Sequence, residues 1–141
     1  MDRKRLRTSA LRLDLRELGA IFAGGALGAA LRTGLVELAP TRAGSWPWPT
    51  FAVNLVGSFL LGYLITRLQD RLPVTAYRRP LLGTGLCGAL TTFSTFQLDL
   101  LHLLDHDRAA LALLYAAGSI AAGFAGVTLG TAIVRRARLT W

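Results

Sequence analysis

Apolar residues fill most of this chain in long blocks, separated by short stretches rich in arginine, proline or acidic residues. A helix that crosses a bilayer needs roughly 20 mainly apolar residues. Four blocks approach that length: residues 18–38, 49–66, 81–104 and 109–134. The first carries Arg32 and Glu37 near its far end, and the second holds only Asn54, Ser58 and Tyr63 as clearly polar positions. The fourth is the most uniformly apolar. The third differs, because Gly83, Gly85, Gly88 and the run Thr91, Thr92, Phe93, Ser94, Thr95 place helix-weakening residues at mid-membrane depth. Glycine costs nearly 1 kcal/mol relative to alanine in a helix, and threonine and serine offer the backbone competing bonds. The pattern predicts an all-α integral membrane protein of four transmembrane helices, the third broken between residues 88 and 92.

Composition sharpens this picture. The 141 residues are 52% hydrophobic and 17% charged, against about 25% charged in soluble domains. Disorder is therefore excluded. Cys87 is the single cysteine, so neither an intrachain disulfide nor a thiolate zinc site is available. The basic start followed by an apolar block has the outline of a secretory signal, yet the rest of the chain is equally hydrophobic and would gain nothing from export. The expected organisation is a basic tail over residues 1–17, a transmembrane domain over 18–134 and a second basic tail over 135–141. Residues 40–49, with Trp46 and Trp48, read as a loop with an aromatic anchor at the interface. Residues 67–80 read as a basic loop, and 105–108 as a short turn.

The net charge of +8 raises the possibility of a nucleic-acid partner. The basic residues cluster at the ends of apolar blocks, which fits membrane topology and not a phosphate-binding face. Six Lys or Arg lie in the first tail, four in the second loop (Arg67, Arg71, Arg78, Arg79) and three at the end (Arg135, Arg136, Arg138). Only Arg42 and Arg108 lie in the other loops, with Arg32 inside the first block. The positive-inside rule places both termini in the cytoplasm.

Polar side chains inside spans face a partner helix or a water-filled path, because hydrocarbon makes them costly. Asn54 has two donors and an acceptor, which suit equally a small anion or a bond between helices. Tyr115 and Ser119 are four apart and share a helix face, so their hydroxyls form either a donor track or local bonds to backbone. Phe93 and Phe96 are three apart. Their ring edges carry positive charge density that a small anion can approach, although such pairs are more often packing. The rows Gly24, Gly28 and Ala122, Gly126, Gly130 allow close approach of another backbone.

Three stretches carry a resemblance: GGALGAALR at residues 24–32, NLVGSF at 54–59 and GLCGALTTFSTF at 85–96. In order and spacing the chain resembles the CrcB-type (Fluc) fluoride channels over about residues 20–134. The resemblance implies a four-helix subunit paired with a second subunit in inverted orientation, forming two pores that export fluoride passively and so confer resistance to it. It assigns Asn54 as a pore donor, Phe93 and Phe96 as the fluoride-facing aromatic pair, and Tyr115 with Ser119 as the polar track. Thr92, Ser94 and Thr95 follow as weaker pore positions, and Arg32 as the basic residue of the vestibule. It also implies a structural sodium ion at the dimer interface, held by backbone carbonyls of Gly88 and Thr91. Two departures stand out: Asp99 occupies a position that is usually Glu, and the strong charge bias does not suit a chain that inserts both ways. The expected partner is then either a second copy or an oppositely oriented paralogue.

Other classes compete with this expectation. A small multidrug-type proton-coupled transporter needs an embedded carboxylate, for which Glu37 lies at a helix end and Asp99 well inside the third block. A metal carrier or membrane enzyme would use His102 and His106, four apart with Asp99 and Asp105 nearby. A purely structural assembly protein would carry no flux. No nucleophile elbow or general base accompanies Ser94 or Cys87, so an enzyme is not expected.

Overall fold

The computed structural model describes residues 14–71 and 77–137, and every described element is helical. Most of the first tail, the centre of the second loop and the end of the chain, including Arg138, lie outside the described residues.

Helix α1 spans Leu15–Leu38 and is started by Asp14, whose carboxylate accepts the Arg16 N–H at 2.9 Å. A side-chain oxygen at this position satisfies one of the donors that a helix start leaves open. Pro40 follows the helix and prevents its continuation. Helix α2 spans Trp48–Arg71 with Pro49 in its first turn, where the missing N–H costs nothing. It is longer at both ends than the apolar block implied. Trp48, Pro49, Arg67 and Arg71 belong to the helix and not to the flanking loops, because a helix continues past the hydrocarbon where its ends can be solvated. Arg67 lies along α2, donating from Nη1 to the Tyr63 hydroxyl at 3.0 Å. Trp48 is exposed, as an interfacial anchor should be, but Trp46 turns inward against Phe51 and Tyr115.

The third segment is built from three pieces. Pro80–Cys87 winds as a π-helix, one α-helical turn follows at Gly88–Leu90 (α3), and α4 runs over Phe93–Asp105. Thr91 and Thr92 between them are extended. The break thus falls inside the expected interval, while the π-helical winding before it goes beyond what the glycines indicated. Helix α5 spans Ala109–Arg136, after a tight turn in which the Asp107 and Arg108 N–H groups donate to the carbonyls of Leu104 and Leu103.

These helices associate as two close pairs, α1 with the π-helical stretch and α2 with α5, while α1 touches α2 only sparsely. Glycines make both pairs. A Cβ on Gly24 or Gly28 would collide with the carbonyl of Leu81 or Leu86, and one on Gly62 or Gly130 with that of Val127 or Phe59. In lipid such close packing, and not the exclusion of water, holds helices together. Leu103, Ala112 and Tyr115 form the buried cluster where α4 meets α5.

Helices α1, α2 and α5 are each long and apolar enough to cross a membrane, and little of their apolar surface is buried within the chain. Large side chains such as Phe22, Leu113 and Phe124 stand outward, a surface suited to hydrocarbon.

Candidate ion-conducting groove

The break in the third segment creates the site. In a continuous helix the Thr92 N–H would bond the Gly88 carbonyl four residues back. Here it donates to Asn54 Oδ1 at 2.8 Å, while Asn54 Nδ2 donates to the Thr92 carbonyl at 3.1 Å. One amide on α2 therefore pairs both polar groups of an interrupted backbone residue, at a depth where unpaired groups cost several kcal/mol each. Of the two readings open for Asn54, the interhelical bond is formed. It uses the acceptor and one donor, so a second N–H remains for another partner.

The Thr92 side chain starts α4. Its Oγ1 accepts the Thr95 N–H at 3.1 Å, donates to Thr95 Oγ1 at 2.9 Å and lies 3.3 Å from Ser94 Oγ. These three hydroxyls engage one another as a helix cap. Thr91 bonds its Oγ1 back to the Cys87 carbonyl at 3.0 Å.

Beside the clamp lies an open groove of about 320 Å³ between α2, α4 and α5. Asn54, Thr92, Phe93, Phe96 and Ser119 line it together, so five of the eight expected pore positions meet at one place from three helices. Ser58 and Gly123 line it too, and neither stood out as a site residue from the sequence. The available signal was that Ser58 follows Asn54 by four and must share its face. The Phe93 and Phe96 rings stack with centroids 5.9 Å apart. Phe93 is 71% exposed, so one side of the groove is open at the surface of the subunit.

Tyr115 lies one turn from Ser119 and is fully buried (0% exposed). Its ring packs 5.2 Å from Phe96, and its hydroxyl donates to Asp99 Oδ2 at 3.2 Å. Thr50 and Ser119 place hydroxyls beside the same phenol, yet Ser119 Oγ is buried with no hydrogen bond among the described residues. From the groove the polar series continues through Tyr115 to Asp99. It reaches a second cavity of about 290 Å³ lined by Arg42, Ser45, Asp99, His102 and His106. There His106 Nδ1 pairs with the His102 carbonyl at 2.8 Å. Among the described residues no group of three or more His, Cys, Asp or Glu is arranged to hold a metal ion.

Ser94 and Thr95 enter the site only through the Thr92 cap. Arg32 lies half-buried on α1 and lines neither cavity.

An all-helical polytopic chain with a broken helix, a polar groove at the break and no charged side chain lining that groove has the form of an ion-conducting membrane subunit and not of a soluble binding domain. The family model described as "CrcB-like protein, Camphor Resistance (CrcB)" matches residues 19–131, and the chain belongs to that family. It is 58% identical over 126 residues to a protein of Mycolicibacterium paratuberculosis named fluoride-specific ion channel FluC 1, covering 89% of this chain and 96% of that protein. A Mycobacterium bovis protein of the same name is 56% identical over the same shares. The Nocardia farcinica fluoride-specific ion channel FluC 2 is 42% identical, over 87% of this chain and 88% of its own.

Proposed function

We infer that this protein is a subunit of a fluoride-selective channel that carries the ion passively across the membrane. The groove is the observation that carries the reading: an amide, a hydroxyl with no partner and two aromatic rings converge beside a helix break in a chain whose relatives bear that name. Fluoride is small and strongly hydrated, so a pore has to replace its water with several donors that do not hold it too tightly. The spare Asn54 N–H, the Ser119 hydroxyl and the edges of Phe93 and Phe96 supply that set without a fixed cation that would trap the ion. Tyr115 and Asp99 continue the polar series outward. No bond is made or broken, and the work of the site is desolvation and guidance.

A single subunit leaves the groove open on the Phe93 side. A second subunit in inverted orientation would close it, giving an antiparallel dimer with two pores. At the centre of that assembly the Gly88 and Thr91 carbonyls suit a structural sodium ion. The Gly88 carbonyl loses its usual donor because the Thr92 N–H is taken by Asn54, and oxygen ligands are what a hard cation requires. The charge bias supports a fixed insertion with both termini cytoplasmic, and hence an oppositely oriented paralogue as partner. Arg32 would then act at the vestibule.

The test is fluoride efflux from liposomes with chloride as control, for this chain alone and with a co-expressed paralogue. Selective flux in either preparation supports the reading, and its dependence on the partner separates homodimer from heterodimer. Verified insertion without flux in either would overturn it. Tags on the C-terminus found equally on both membrane faces would overturn the fixed orientation alone.

A further inference from the structure

A hydroxyl on a membrane helix normally satisfies itself by donating to the carbonyl one turn back. Thr66, Thr91 and Thr128 follow this rule, bonding the carbonyls of Gly62, Cys87 and Phe124 at 2.7, 3.0 and 3.0 Å. Ser58 does not: among the described residues its hydroxyl makes no hydrogen bond, although it lies midway along α2. Ser119 behaves in the same way on α5. Both line the groove together with Asn54, which has a second N–H to spare.

The surroundings of Ser58 explain why its hydroxyl remains open. Tyr115, Ser119 and position 123 recur every fourth residue on α5, so a third hydroxyl of that series would fall at 123, where the chain has glycine. A Cβ there would stand 3.5 Å from Ser58 Oγ, in ordinary contact and in the space above it. Gly123 therefore leaves room in which the α2 hydroxyl takes the place that α5 leaves empty.

We propose that Ser58 is a third hydrogen-bond donor to the anion, forming with Asn54 and Ser119 a coordination station at the helix break, and that Gly123 keeps it accessible. The proposal rests on the channel reading above. An unpaired hydroxyl at membrane depth costs free energy unless something in the groove accepts a hydrogen bond from it. A small anion shedding its water is such an acceptor, and each fixed donor replaces one lost water.

The experiment is fluoride efflux from liposomes containing the full chain with its partner, with chloride as control and elution volume as the check on assembly. Ser58→Ala is expected to slow fluoride efflux about tenfold, the order expected for one lost hydrogen bond to a charged group, with assembly unchanged. Adding Gly123→Ser restores a hydroxyl beside the vacated position and should bring flux to within about threefold of wild type. Thr128→Ala, which removes a hydroxyl already spent on its own helix, should leave flux unchanged. Ser58→Ala that conducts as fast as a conducting wild type overturns the proposal. So does Ser58→Ala that loses assembly and is not rescued by Gly123→Ser, which would make Ser58 a packing residue. A wild type without fluoride flux overturns the channel reading itself, a distinct failure.

Discussion

The two helix pairs of this subunit solve the same packing problem with opposite amounts of polar chemistry. Between α1 and the π-helical stretch, Gly24 and Gly28 press directly on the backbone at Leu81 and Leu86, and the side-chain hydrogen bond that joins the two segments, from the Tyr77 hydroxyl to Asp14 Oδ2 at 3.2 Å, lies at their outer ends, before either helix begins. Between α2 and α5, Gly62 and Gly130 make an equally close seam near one end, and toward the middle the groove opens between α2, α4 and α5. There the contacts become polar: the Asn54 clamp, the Thr92 cap and the open hydroxyls. Dry packing needs only small residues in register, whereas a conducting groove needs donors, room and a helix that stops. The break at Thr91 and Thr92 separates the two regimes.

Substitutions should divide along the same line. The largest effect belongs to the dry seam: Gly24→Val puts a branched side chain into the Leu81 carbonyl. Overpacking of this kind costs about 3 kcal/mol or more, so the expected outcome is loss of monodisperse protein on extraction. Normal yield and melting would mean that α1 and the π-helical stretch do not pack as described. Asn54→Ala acts on both regimes, since it strips both partners from Thr92 and leaves two buried groups unpaired at about 1–3 kcal/mol each. Melting in detergent should fall and flux should drop at least about a hundredfold. Asn54→Asp keeps an acceptor for the Thr92 N–H, loses the donor to the Thr92 carbonyl and adds a negative charge, so fluoride efflux should fall here too.

Smaller effects sharpen the contrast. Phe93→Ile alters a ring that is mostly exposed in the subunit, so the fold should be unchanged to within about 0.5 kcal/mol while flux falls about tenfold. Unaltered flux in assembled protein would remove Phe93 from the path. Tyr115→Phe deletes one hydrogen bond, to Asp99, for about 1 kcal/mol of stability and a few-fold loss of flux. A Tyr115→Phe channel faster than wild type would show that this bond restrains conduction.

Much of this could be read from the residues because the bilayer is a strict solvent. Its thickness demands long apolar blocks, and α1, α2 and α5 lie over three of them. Its lack of hydrogen-bonding partners made the Gly and Thr cluster at 83–95 a place where a helix must stop. Other features were not legible. The ends of α2 extend beyond the apolar block because hydropathy marks hydrocarbon and not helix. The inward turn of Trp46 depends on Tyr115, 69 positions away in the chain.

By itself, then, the amino-acid sequence determined an all-helical membrane chain, the places of three long apolar helices, the break and the residue types from which a site could be made, since each follows from local composition and from the solvent it must satisfy. Only the tertiary structure decided how Asn54 divides its hydrogen bonds, which hydroxyls are spent and which are open, and that Ser58 and Gly123 complete the groove. Those outcomes depend on which carbonyl or side chain lies within 3 Å across a helix pair, and that is set by how closely the glycine seams let the helices approach.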